Sequence, residues 1–556
     1  MNKKVCSFPI LFALLALVIG TCAVVFPASA QAAPTSTGSI TVSGTVARSY
    51  DAYQIFSANV VDGDSDAKIA TDLAWASDAA CDAVLPVLHS AGMPNSQTTA
   101  QEAAEWLNTD SHLTSALSAQ LARSLQSSGA VPVALNAGTT AELPCGYWLI
   151  VADDDAIAQG EASTVPIMAL VGGSAVTVKP KTATPKVAKH VLEDSTAAWQ
   201  KAADATVADD LYWRLSATVP AGLTAYDTYT VRFVDTMSAG LDPSKVAASM
   251  RVYVAAGADG GFDAVSAGKD GRAGTEPAQG WTDITAQCAT KVAADGKTFT
   301  VRTGDLIAAL GGTEAFTAGA RVVAVYNAPL NSACNHGIAK GNPNEVYLRY
   351  PRSPFADQSG DAGFTRTPSD DACAYTWDFA LTKRGSDGDK PLAGAVLSIA
   401  DDRGRTLAAD GTWDAEGKAT VTSGEDGRVT VSGVDSGKLE VRELKAPKGY
   451  TVFEGTRSVT VKAEGLDVDQ VAAAKPKLTI TAESPLRADS ADGSTGSLEA
   501  SLINTPTGTP PSITTGGFMP STGDMAMYAA AAAAVAGAAL IVVALLVKRG
   551  GGSHKV

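Results

Sequence analysis

The chain has 556 residues, with 58 acidic against 43 basic side chains and a formal net charge of −15. So acidic a surface repels other polyanions and its own copies, which favours solubility and excludes nucleic acid as a partner. The length is too great for one hydrophobic core and implies about three domains.

The chain opens with Lys3-Lys4, an apolar run over 10–26, and small-residue cleavage sites at Ala28-Ser29-Ala30 and Ala30-Gln31-Ala32. That order marks residues 1–32 as a secretory signal peptide, so the mature chain is exported. Cys6 and Cys22 leave with the signal, and Cys81, Cys145, Cys288, Cys334 and Cys373 remain. In an oxidising compartment Cys81 and Cys145, which flank one segment, are expected to bridge, with Cys334–Cys373 as a second choice. There is no Cys-x-x-Cys pair, and His89, His112, His190, His336 and His554 form no ligand spacing. No metal and no other cofactor is expected.

Residues 33–180 form a first module of mixed type. Ser39-Ile40-Thr41-Val42-Ser43-Gly44-Thr45-Val46 alternates as a strand does, 77–90 and 99–128 look helical, and strands return at 147–152 and 175–178. Residues 181–356 and 374–506 are short alternating runs between Gly, Asp, Asn and Pro, the pattern of immunoglobulin-like β-sandwiches. The fold class is therefore mainly β, tandem sandwich modules with some helix in the first.

Alternate residues of a strand share a face, so a polar residue on the apolar parity is aimed at the core. In Phe379-Ala380-Leu381-Thr382-Lys383, Lys383 shares the face of Phe379 and Leu381. In Leu439-Glu440-Val441-Arg442-Glu443, Glu443 shares the face of Leu439 and Val441. Asn504 shares the face of Leu498 and Leu502 in the last strand pattern. The plain alternative is three strand ends at the rim with solvated side chains. Buried together, the three suit one chemistry. Burial favours a neutral amine and a neutral carboxyl group. The amine attacks the Asn carbonyl carbon, the acid shuttles protons, and ammonia leaves. The product is an intramolecular isopeptide bond between first and last strands.

The second module repeats the pattern. Lys189 lies on a valine face in Val187-Ala188-Lys189-His190-Val191, and Asp235 follows Tyr229, Val231 and Phe233 at even spacing. For the Asn partner, Asn344 shares parity with Val346, Leu348 and Tyr350, and Asn342 and Asn327 are alternatives.

Residues 507–524 begin as a Thr/Pro/Gly-rich spacer and end in Met519-Pro520-Ser521-Thr522-Gly523-Asp524. Residues 525–547 carry no charge and are long enough to cross a bilayer, and 548–556 begin with Lys548-Arg549. A simple membrane anchor or a glycolipid-anchor signal would explain the apolar run, but the latter normally ends without basic residues.

These features resemble those of Gram-positive sortase-assembled pilins. The C-terminal order is similar to the cell-wall sorting signal Leu-Pro-x-Thr-Gly, with Met519 in place of Leu. The resemblance implies that a sortase cuts between Thr522 and Gly523 and passes the Thr522 carbonyl to an amine. Glu443-Leu444-Lys445-Ala446-Pro447-Lys448-Gly449-Tyr450 looks like the pilin E-box, Glu-x-x-Ala-Pro-x-Gly-Tyr. Pro391-Leu392-Ala393-Gly394-Ala395 is similar to the opening of the prealbumin-like, collagen-adhesin B-type domain of that family. Lys189 and Asp235 fit the family's isopeptide-forming fimbrial domain, with Asp235 as the proton-shuttling acid. Val176-Thr177-Val178-Lys179-Pro180-Lys181 resembles the pilin motif Val-x-Val-Tyr-Pro-Lys, with Lys179 where the family has Tyr. It implies Lys181 as the polymerising nucleophile, held extended by Pro180 and Pro185. The rival reading there is a basic linker, since Lys179, Lys186 and Lys189 lie nearby.

The resemblance implies a non-enzymatic, cell-wall-anchored fimbrial subunit serving adhesion, most simply of the shaft. Its partners would be further copies of itself, a class C-type pilin sortase, a housekeeping sortase, peptidoglycan, tip and base pilins and a host receptor. The alternative is a monomeric wall-anchored adhesin, which would not need the lysine motif.

Overall fold

The structure, a computed structural model, describes residues 36–508 apart from 45–47, 65–66, 110–111, 154–159, 163–164, 181–183, 222, 258–279, 317–318, 355 and 357. The signal 1–32, Lys181, the motif Met519, Pro520, Thr522, Gly523 and the segments 525–547 and 548–556 lie outside the described residues. Among those described, no helix is long and apolar enough to cross a membrane.

The chain is mainly β and builds pairs of sheets in sequence. In the first unit, Ser49–Asp62 is the longest strand and joins Lys68–Trp75, Val133–Asn136, Gly146–Ala152 and Ile167–Val171. Its alternation sets two layers. Tyr53 and Ile55, with Leu149 and Val151, face the helices, while Tyr50 and Ala52, with Trp148 and Ile150, face a small sheet of Thr37–Val42, Thr140–Pro144 and Val176–Val178. The helices are Asp78–Ser90, Ala100–Asn108 and Ser115–Ser127. The helical stretch expected over 99–128 is thus two helices. The Thr109 backbone leaves the helix as extended chain, and the Thr114 hydroxyl caps a new one by accepting from the Leu117 N–H.

The expected Cys81–Cys145 disulfide is absent, and all five cysteines among the described residues are free. Cys81 sits half-buried on the first helix, whereas Cys145 packs into a separate apolar cluster with Ala58, Val60 and Leu170. Cys334 and Cys373 are each buried but belong to different cores.

The second unit stacks a sheet ordered Ala198–Gln200, Lys186–Glu193, Tyr212–Val219, Ala320–Asn327, Arg251–Ala256, Thr282–Asp283 on a second sheet. That sheet runs Ala202–Asp204, Asp370–Tyr375, Asn342–Pro351, Arg232–Met237, Thr298–Arg302, Ala289–Val292, with Phe364–Arg366 beside Asn342–Pro351. Trp213, Leu215, Phe233, Val301 and Leu348 fill the core between them.

In the third unit the first strand, Trp377–Gly385, pairs in parallel with the last, Ser497–Asn504, so that Lys383 stands opposite Leu502 and Gly385 opposite Asn504. The facing sheet contains Gly437–Lys445 between Val396–Ala400 and Thr456–Glu464. The second and third units meet through polar contacts, buried at Asp204 and open to solvent at Arg403. The Asp204 carboxylate accepts from the Trp377 indole at 2.6 Å and from the Ser436 N–H at 3.0 Å, and Arg403 reaches Asp209 at 2.8 Å.

Candidate functional site

Lys383, Glu443 and Asn504, each on the apolar parity of its strand, come together in one core. Each is at most 4% exposed. Lys383 Nζ donates to Asn504 Oδ1 at 2.5 Å and to the Leu502 carbonyl at 3.0 Å. Asn504 Nδ2 donates to both Glu443 oxygens, at 2.9 and 2.8 Å, and Lys383 Nζ lies 3.7 Å from Glu443 Oε1. The amine therefore sits at the carbonyl it would attack, and the carboxyl group holds the nitrogen that would leave. Burial pulls the Lys383 pKa down to about 8, against the opposing pull of Glu443, so the neutral amine is within reach near neutral pH.

The E-box residues fix this geometry. Glu443 also accepts the Phe453 N–H at 2.6 Å. The loop between them turns at Gly449, whose φ of +85° favours glycine. It then grips the chain just past Asn504, with Thr451 N–H donating to the Thr505 carbonyl and Thr507 N–H to the Gly449 carbonyl, each at 2.9 Å. Tyr450 adds a hydroxyl bond to Asp387 at 2.8 Å, beyond the end of the first strand.

The second unit holds a related cluster between its sheets. Lys189, Asp235 and Asn344 are all fully buried. Lys189 Nζ is paired with Asp235 Oδ2 and donates to the Tyr326 hydroxyl oxygen at 2.9 Å. Tyr326 in turn donates to Asp235 Oδ2 at 3.1 Å, and Asn344 Nδ2 donates to the Tyr326 oxygen at 2.8 Å. Asn344 is the asparagine that shares the Tyr326 hydroxyl with this lysine. Asn342 is instead bonded to the Asn335 and Ala374 backbone, and Asn327 to the Leu211 N–H and Asp210. Burial lowers the Lys189 pKa to about 8 and raises that of Asp235 in spite of the adjacent ammonium, both shifts favouring the uncharged pair. Asp235 Oδ1 and Asn344 Oδ1 have no hydrogen-bond partner among the described residues.

Sequence reasoning missed two features here. Tyr326 follows four apolar residues in a row in the strand Ala320–Asn327 and reads as ordinary core. Lys201 and Asp370 form a partly buried ion pair behind Lys189, with Lys201 donating to the Lys189 carbonyl at 2.9 Å and Asp370 accepting the Lys189 N–H at 2.7 Å. That pair ties the lysine-bearing strand to the opposite sheet. Among the described residues no cluster of His, Cys, Asp and Glu could hold a metal ion.

Residues 378–475, within the third sandwich, match the family model for the SpaA prealbumin-like fold domain. A curated relative, the trypsin-resistant surface T6 protein of Streptococcus pyogenes serotype M6, is 29% identical over 143 residues, covering 24% of this chain and 24% of the relative. The likeness therefore spans about a quarter of that protein's length. Among solved structures, the T6 backbone pilin of the same serotype aligns over 86% of this chain and 100% of its own, at 16% identity and a TM-score of 0.46. The full-length major pilin SpaD of Corynebacterium diphtheriae aligns over 85% and 98%, at 15% identity and a TM-score of 0.40.

Proposed function

We propose that this chain is the shaft subunit of a cell-wall-anchored fimbria, polymerised head to tail by a sortase and hardened by internal isopeptide bonds. The observation that carries the reading is the buried Lys383–Glu443–Asn504 cluster at the joint between the first and last strands of the third unit. A bond there routes tension through covalent links, which a load-bearing filament needs and an ordinary globular domain does not.

The internal reaction balances as a transamidation. Lys383 Nζ, as the neutral amine, bonds to Asn504 Cγ and passes one of its two protons to the Glu443 carboxylate. The protonated acid hands its proton to Asn504 Nδ2, the Cγ–Nδ2 bond breaks, and ammonia leaves. Glu443 is regenerated, but the substrate is the protein itself, so the chain turns over once and is not an enzyme. The same chemistry is proposed for Lys189 and Asn344, with Asp235 as the acid. Between subunits, Thr522 of one chain would be joined to Lys181 of the next, by a pilin sortase. A housekeeping sortase would fix the filament to peptidoglycan, and tip or base subunits and a host receptor complete the expected partners.

Electrophoresis of wall extracts from the native host tests this. Wild type should give a high-mass ladder, Lys181→Ala should leave monomer on the wall without the ladder, and Thr522→Ala should abolish both. A single band in wild type would favour the monomeric adhesin, and a normal ladder from Lys181→Ala would reject that nucleophile.

A further inference from the structure

The two clusters differ in how the acid reaches the nitrogen that must leave. In the third unit Glu443 accepts directly from Asn504 Nδ2, with both of its oxygens. In the second unit the acid is an aspartate, one methylene shorter, and its contacts are with Lys189 and the Tyr326 hydroxyl. Asn344 Nδ2 bonds to that same hydroxyl, at 2.8 Å. One phenol oxygen thus touches the attacking nitrogen at 2.9 Å, the acid at 3.1 Å and the leaving nitrogen at 2.8 Å. From this geometry we propose that Tyr326 is a catalytic residue of the second unit, relaying the proton from Asp235 to the Asn344 amide nitrogen during isopeptide formation. The inference rests on the reading of Lys189 and Asn344 as a crosslinking pair.

The relay conserves atoms and charge. Asp235, as the carboxylate, takes one of the two protons of the neutral Lys189 amine as the Nζ–Cγ bond to Asn344 forms. Asp235 then protonates the phenol oxygen as the phenol's own proton moves to Asn344 Nδ2. The Cγ–Nδ2 bond breaks and ammonia leaves, with tyrosine and aspartate restored. Tyr326 is placed rigidly for this role. Its ring is fully buried and packs edge-on against Phe299 at 4.8 Å between centroids. Burial and the neighbouring Asp235 hold its hydroxyl well above the usual phenol pKa, so it passes protons on without dwelling as a phenolate.

The test uses the full mature chain, sampled at intervals after a brief pulse of synthesis, digested, and assayed by mass spectrometry for both joined peptide pairs. The pair from the third unit, Lys383 with Asn504, serves as an internal clock. Tyr326→Phe keeps the ring packing and removes the hydroxyl. Loss of a positioned acid–base group costs on the order of 10²-fold in rate, so joining of Lys189 to Asn344 should slow by about that factor while the clock is unchanged. Adding Asp235→Glu to Tyr326→Phe should restore much of the rate, because the longer acid reaches the amide nitrogen as Glu443 does. A merely structural tyrosine would not be rescued in that way. Wild-type joining rates in Tyr326→Phe, or no rescue in the double variant, would overturn the relay. Should the phenylalanine variant lose its fold, a ring-fluorinated tyrosine at 326 preserves shape while making the phenol more acidic, and an unchanged rate would overturn the relay equally. Wild-type protein with the third-unit pair joined but no Lys189–Asn344 pair would instead reject the underlying crosslink, a distinct failure.

Discussion

Replacing Glu443 by glutamine keeps the shape of the side chain and removes the charge that faces Lys383 from 3.7 Å. Two losses follow. The bond between Lys383 and Asn504 closes a loop of 121 residues, and for a loop of that length the chain-entropy relation gives about 5 kcal/mol. Without the bond, the fully buried Lys383 ammonium also lacks a counter-charge, which costs about 3 kcal/mol when one partner of a buried pair is removed. At about 3–4 °C per kcal/mol for a unit of this size, the melting temperature should fall by roughly 25–30 °C. Lys383→Met removes crosslink and buried charge together, so it should lose only the entropic share, roughly 15–20 °C. Calorimetry and intact mass on the folded mature chain read both effects. Wild type should lack the mass of ammonia at this site, and both variants should regain it. A Glu443→Gln protein that still sheds ammonia, or a Lys383→Met protein that melts below Glu443→Gln, would refute the reasoning.

Two further outcomes follow from the same geometry. In an uncrosslinked variant such as Asn504→Ala, folded Lys383 titrates at about 8 against 10.5 for the ordinary side chain. The unfolded chain then binds more protons across that window, so stability should rise with pH through it. Urea midpoints at each end of the window check the sign, and a fall would contradict it. The five mature cysteines should all titrate as thiols in unfolded, unreduced protein, and fewer would mean that a bridge forms.

A strict two-residue period makes a charged or polar residue on an apolar face conspicuous. Lys383, Glu443 and Asn504 were legible for that reason, as were Lys189 and Asp235. Parity alone could not decide among Asn344, Asn342 and Asn327, since all three end up buried. What separates them is bonding to residues distant along the chain. Tyr326 escaped notice because it is 137 residues from Lys189 and follows four apolar residues, where tyrosine is unremarkable. The long strand Ser49–Asp62 was also missed. Its pairing shifts register between Gln54 and Phe56 and between Ser57 and Asn59, and such bulges break the alternation from which a strand is read. Cysteine spacing, finally, carries no information about distance, so Cys81 and Cys145 could be paired on paper but not in space.

The most direct test of the whole account is tandem mass spectrometry of digested filaments released from the wall. The account predicts a branched peptide in which the Thr522 carbonyl is amide-bonded to Lys181 Nζ, together with a peptide joining Lys383 to Asn504. Filaments in which Lys181 and Lys383 both carry free amines would contradict it.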